Sequence, residues 1–102
     1  MSNYSLIQIT NLDKGVVNIQ LNSPETQNTL SEKMIGELQQ ALDELQKGPS
    51  KVIVLSSTGK VFSAGHDLRE LKSARSQSDQ GHAYFQKIFK QCSSMMQSIV
   101  NH

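Results

Sequence analysis

Val61-Phe62-Ser63-Ala64-Gly65-His66-Asp67-Leu68-Arg69-Glu70-Leu71 is the stretch on which the reading of this sequence turns. Val61-Phe62 is a short extended piece. It meets two small residues, Ala64 and Gly65, and then a segment suited to a helical turn. Small residues let a backbone approach a ligand closely, and Gly65 tolerates unusual φ/ψ. The first N–H groups of a helical turn have no partner within it and can hold an anion or a developing oxyanion. Asp67 is placed to cap that turn. On spacing alone, an ordinary strand-to-helix connection remains the better reading.

Upstream, Tyr4 to Thr10 and Val16 to Leu21 alternate like two strands, with Val17, Ile19 and Leu21 on one face. Asn11 to Gly15 is a turn cluster between them, so the pair reads as a β-hairpin. Pro24 stops the second strand. Thr29 with Glu32 matches a capping box, with Ser31 as the alternative N-cap. Met34, Ile35, Leu38, Ala41, Leu42 and Leu45 then form one apolar helical stripe. Gly48-Pro49 ends that helix, Gly48 as a left-handed cap. Val52-Ile53-Val54-Leu55 shows no alternation, as expected of a strand covered on both faces. Hairpin, helix and strand together predict a right-handed β-α-β crossover.

Downstream, Ser73 to Gln80 is rich in Ser and Gln, lacks periodicity and reads as a loop. A second helix is predicted from about His82 to Val100. Its stripe is Phe85, Ile88, Phe89, Cys92, Met95, Met96, Ile99 and Val100. A stripe this apolar needs a surface to cover.

Bulk composition narrows the function classes. The 102 residues carry 10 Lys+Arg and 9 Asp+Glu, a net charge of +1. That balance argues against a nucleic-acid or membrane-surface binder, which needs a basic face. Length allows one domain and a small core. Cys92 is the sole cysteine, so no internal disulfide or Cys cluster can form. His66, His82 and His102 lie in separate segments without ligand-like spacing, and no metal site is expected. Ser63 beside His66 suggests a nucleophile, but no orienting acid is identifiable. Met1 to Thr10 shows no leader signature, and no apolar run reaches membrane-spanning length. The expected compartment is cytoplasmic, with a mitochondrial location as the alternative.

Phe62 to Leu71 resembles the first oxyanion-hole segment of the crotonase superfamily, the enoyl-CoA hydratase/isomerase family. Asn22-Ser23-Pro24 with Asn28-Thr29-Leu30-Ser31 is similar to that family's first CoA-contacting loop and the helix start after it, and Lys51 to Leu55 to the buried strand that follows. The resemblance spans nearly the whole chain in the right order. It implies an α/β fold, the N-terminal portion of a crotonase-like (ClpP/crotonase) ββα spiral, with residues 1–102 forming part of a single domain.

The resemblance also implies the chemistry. The substrate would be an acyl-CoA or enoyl-CoA thioester. Two backbone N–H groups would clasp the thioester oxygen and stabilise an enolate-like charge. One donor would be the N–H of His66, with Ala64, Gly65, His66, Asp67, Leu68 and Arg69 forming the substrate-binding segment. Glu25, Thr26 and Gln27 would pass near the nucleotide end. No cofactor is expected beyond the coenzyme A of the substrate. The family commonly has a small residue where His66 stands. A backbone donor survives any side chain except proline, and the imidazole is expected to shape the pocket or lie against Asp67. Ser23 and Glu25 stand where many members carry basic residues, so CoA attraction is weakened. The second donor, the acidic residues and the helices that build the family's homotrimer would lie beyond residue 102. The chain alone is therefore expected to be inactive. Glu32, Glu37 and Glu70 read as solvated surface charges. The alternative is a non-catalytic, truncated paralogue that serves as a binding or interaction module with a full-length crotonase.

Overall fold

A computed structural model describes residues 4–102; the first three residues of the leader reading lie outside it. Strand β1 (Ile7–Asn11) pairs antiparallel with β2 (Val16–Leu21), with Ile7 opposite Leu21 and Ile9 opposite Ile19. The turn between them uses left-handed backbone at Lys14 and Gly15. Helix α1 (Glu32–Gln46) then crosses to β3 (Val52–Ser57), which pairs parallel with β2. This is the predicted β-α-β connection. Ser31, not Thr29, caps the helix, its hydroxyl accepting the Met34 N–H at 3.1 Å. The capping-box alternative thus prevails, because Ser31 is the last residue with extended backbone. The helix ends on Lys47 in right-handed backbone, and Gly48 is not left-handed. The expected glycine cap is replaced by a tightened last turn, in which Lys47 and Gly48 donate to Glu44 and Leu45.

Short helix α2 (Leu68–Ala74) follows the Gly65 segment, and α3 (His82–Val100) closes the described chain. The core lies between one sheet face and the two long helices. It contains Ile7, Ile19, Leu21, Met34, Ile35, Leu38, Ala41, Leu42, Ile88 and Met95. Register explains the sorting. Ile53 and Leu55 lie beside Val17 and Ile19 and pack onto that core. Val52 and Val54 alternate to the other face.

That other face corrects one expectation. Strand β3 is covered on one face only, with Val52 52% and Val54 41% exposed. Val16, Asn18 and Gln20 beside them on β2 are only half-buried, and β3 is the sheet's edge. The stripe on α3 also divides. Ile88 and Met95 are buried and Cys92 and Ile99 half-buried, whereas Phe89, Met96 and Val100 stay exposed. One helix can cover a seam about 100° wide, and α3 carries a wider apolar arc than α1 covers. No helix among the described residues is long and apolar enough to cross a membrane.

Candidate functional site

The residues from 62 to 71 converge with the loop after β2. Ala64, His66, Asp67, Leu68 and Arg69 line one open groove of about 380 Å³ together with Glu25, Thr26, Gln27 and Thr29. Two segments separated by some forty residues of sequence thus form one concave surface. A larger groove of about 860 Å³ runs between α1 and α3, around Ile35, Gly36 and Gln39. It contains none of the residues from 62 to 71.

Backbone pairing fixes the segment from Ala64 to His66. Leu30 N–H donates to the Gly65 carbonyl at 2.7 Å, and Ala64 N–H donates to the Gln27 carbonyl at 3.0 Å. Leu30 and His66 form an isolated parallel bridge. In a planar trans peptide the C=O and the following N–H point in opposite directions. Pinning the Gly65 carbonyl to Leu30 therefore turns the His66 N–H away from Leu30. That N–H has no acceptor among the described residues. Gly65 makes the bend possible with φ +86°, a conformation that a Cβ disfavours.

Asp67 caps α2, its Oδ1 accepting from the N–H groups of Arg69 at 2.9 Å and Glu70 at 3.4 Å. The Arg69 guanidinium stands 3.8 Å from the same oxygen and is itself open to solvent. The imidazole of His66 lies edge-on to Phe89 of α3, ring centres 5.3 Å apart, and not against Asp67. Phe89 stacks in turn on Phe85 at 6.2 Å. His66 Nδ1 is buried without a hydrogen-bond partner. Glu25 lines the groove and accepts from the Ser23 hydroxyl at 3.1 Å, leaving its charge at the mouth.

Asn28 is the residue whose importance the sequence did not signal. It is fully buried, and its side chain ties three backbone points. Oδ1 accepts from Ser23 N–H at 2.7 Å, while Nδ2 donates to the carbonyls of Thr58 at 2.9 Å and Val61 at 3.1 Å. Gln27 and Asn28 both adopt left-handed backbone, φ 57° and 52°. Strain of that kind persists only where the surroundings impose it. The one local signal is residue type, since Asn tolerates that region better than most.

Two of the three glutamates read as solvated charges are structural anchors. Glu70 Oε1 accepts from the Glu32 N–H at 2.9 Å and from the Tyr84 hydroxyl at 3.3 Å, joining α2 to the start of α1 and to α3. Burial first, then the negative charge of Glu70, pushes the Tyr84 phenol up to about 12. Glu37 accepts from the N–H groups of Ser5 and Leu6 at 3.1 and 2.9 Å. Unpaired N–H groups at a helix start and ahead of a strand attract carboxylates. Glu32 is half-exposed as expected, and pairs with Lys87 at 2.8 Å. Burial also raises the Cys92 thiol, and the N–H groups of Ala83 and Gly81 lower the Asp79 carboxyl.

Comparison with known proteins identifies the family and the fold. The sequence profile described as enoyl-CoA hydratase/isomerase matches residues 11–101. The mitochondrial enoyl-CoA hydratase domain-containing protein 3 of Rattus norvegicus is 40% identical over 94 residues, 91% of this chain and 30% of the relative. The crystal structure of its human counterpart superposes with TM-score 0.82 at 38% identity, covering 96% of this chain and 37% of that one. An enoyl-CoA hydratase of Mycobacterium smegmatis gives TM-score 0.81 at 33% identity, covering 93% and 35%. The chain spans about 30% of the length of the rat relative. On these matches the chain belongs to the enoyl-CoA hydratase/isomerase family of the crotonase superfamily, and its fold is a part of the crotonase fold.

Proposed function

We propose that this chain binds the thioester end of an acyl-CoA and supplies one donor of an oxyanion hole, the His66 N–H. The observation that carries the reading is that N–H, turned away from Leu30 and without an acceptor, in a residue that lines the groove. A backbone dipole held in place needs no reorganisation when charge develops on a thioester oxygen. Ala64, Gly65, Asp67, Leu68 and Arg69 form the rest of the binding segment, and coenzyme A enters as part of the substrate. The parent activity is hydration or isomerisation of enoyl-CoA. The chain alone is inactive, because the second donor and the acid–base groups are supplied from outside residues 1–102. These residues make up part of one crotonase-like domain, and the full-length assembly is a homotrimer. The names of the vertebrate relatives favour the mitochondrial alternative over a cytoplasmic location.

His66→Ala keeps the donor and His66→Pro deletes it. The N–H makes no bond in the free protein, so its deletion sacrifices none. Calorimetric titration with butyryl-CoA is expected to show a loss of about tenfold in affinity for the proline variant, the worth of one hydrogen bond. Alanine is expected to stay near the parent. Equal affinity in both variants overturns the donor assignment, and turnover of crotonyl-CoA by the 102-residue chain overturns its inactivity.

The interaction-module alternative draws on the exposed side chains of Phe62, Leu68, Phe89, Met96 and Val100. It expects co-purification with a full-length crotonase, and a stable monomer in the presence of that relative counts against it.

A further inference from the structure

We infer that Ser63 is a positioning residue for the His66 donor, linking the buried Asn28 to the Gly65 peptide. The inference rests on the thioester reading above for its purpose, and on the ligand-free geometry for its substance. The Ser63 hydroxyl donates to the Asn28 carbonyl at 2.8 Å, and its oxygen accepts the Gly65 N–H at 3.1 Å. Its single proton is thus committed, which argues against the nucleophile suggested by its nearness to His66 in sequence.

Gly65 is the reason such a link matters. It holds φ +86°, and a Cβ built there would meet nothing within 4 Å. No steric wall restrains the most permissive backbone position in the segment. Hydrogen bonds must do so. Leu30 N–H holds the Gly65 carbonyl on one side, and the Ser63 oxygen holds the Gly65 N–H on the other. With both flanking peptides fixed, the direction of the His66 N–H is set, because that N–H shares a plane with the Gly65 carbonyl. The Asn28 carbonyl is a firm anchor, since the Asn28 side chain is tied to Ser23, Thr58 and Val61. The order is Asn28, Ser63, Gly65, His66.

The test compares Ser63→Ala with Ser63→Thr in the 102-residue chain, by amide hydrogen exchange and by the ¹H–¹⁵N resonances of Gly65 and His66. In Ser63→Ala, Gly65 exchange is expected to speed up about tenfold, the protection of one hydrogen bond, and the His66 resonance to move. The Ile19 amide in the core is expected to keep its rate. Ser63→Thr restores the hydroxyl and is expected to restore both signals. Unchanged Gly65 and His66 signals in Ser63→Ala overturn the inference. So does equal acceleration of Ile19 and Gly65, which marks a general loss of stability. Butyryl-CoA affinity is expected to fall severalfold in Ser63→Ala and to recover in Ser63→Thr. If butyryl-CoA leaves the His66 resonance of the parent unmoved, the thioester reading fails. The ligand-free comparison still decides the role of Ser63.

Discussion

Replacing Asn28 separates two effects that the native residue combines: three side-chain hydrogen bonds and a left-handed backbone. Asn28→Ala strands the Ser23 N–H, which sits in a buried residue, and releases the carbonyls of Thr58 and Val61. A buried orphan donor costs about 1–3 kcal/mol, and each carbonyl near solvent about 0.5–1 kcal/mol. Holding alanine at φ 52° adds about 1 kcal/mol. The expected loss is about 3–6 kcal/mol, a large part of the ~5–15 kcal/mol typical of native proteins. With a urea slope of about 2 kcal/mol per molar, the midpoint falls by about 1.5–3 M. Asn28→Gly loses the same hydrogen bonds without the left-handed penalty, and is expected to be more stable than Asn28→Ala by about 0.5–1 kcal/mol. Urea unfolding followed by circular dichroism measures both. A loss under about 1 kcal/mol for alanine would refute the idea that Asn28 holds the loops together. Glycine no better than alanine would refute the strain argument alone.

Other expectations follow from single features. Spectrophotometric titration of a Tyr4→Phe variant should place the Tyr84 phenol near 12. A folded pKa raised above the unfolded value of about 10 stabilises the folded state at lower pH. That stability is complete below the unfolded pKa and is lost as pH rises through 12, so a midpoint near 10 contradicts the burial argument. Two glycines should respond oppositely to alanine. Gly36 lies in α1 with nothing within 4 Å of a new Cβ, and Gly36→Ala should raise the thermal midpoint, worth about 0.5–1 kcal/mol. Gly81 has φ +85° and would place a Cβ 3.0 Å from the Ala74 backbone, so Gly81→Ala should destabilise by at least about 1–3 kcal/mol. A rise for Gly81→Ala would count against the packing at the start of α3. Lys87→Ala breaks an ion pair whose members are both well exposed, and should change unfolding by less than about 1 kcal/mol. A larger effect would mean that Lys87 supports the α1–α3 contact by more than charge.

What was legible in the sequence was whatever lay within one helical or strand period. The bounds of α3, the apolar face of α1, the hairpin and the Asp67 cap all follow from neighbours a few residues apart. The family pattern from Phe62 to Leu71 likewise lies in one short run. What escaped notice depends on partners far along the chain. Glu70 looks like any surface glutamate until the Glu32 N–H, 38 residues away, arrives beside it. Asn28 looks like a turn residue until Val61 returns to it across 33 residues. The exposed face of β3 differs from expectation for a related reason. An unbroken apolar run records what a strand can bury, not what packs on it among these residues. The His66 ring lines the groove but lies against Phe89 and not Asp67, because α3 brings Phe89 to it.

The long return of the Ser63 hydroxyl to the Asn28 carbonyl also bears on the order in which the molecule forms. Its partners are 35 residues apart, and the Glu32–Glu70 contact nearby spans 38. Closing loops of that size costs entropy before any contact offsets it. Hairpin and helices can begin from local contacts, but the peptide that aims the His66 N–H has no fixed direction until the two distant loops have met. During folding, the direction of the His66 N–H is therefore expected to be set after the hairpin and helices have begun to form. In the native ensemble, an opening of the two loops that spared the core around Ile19 and Met34 would free the His66 N–H from that direction.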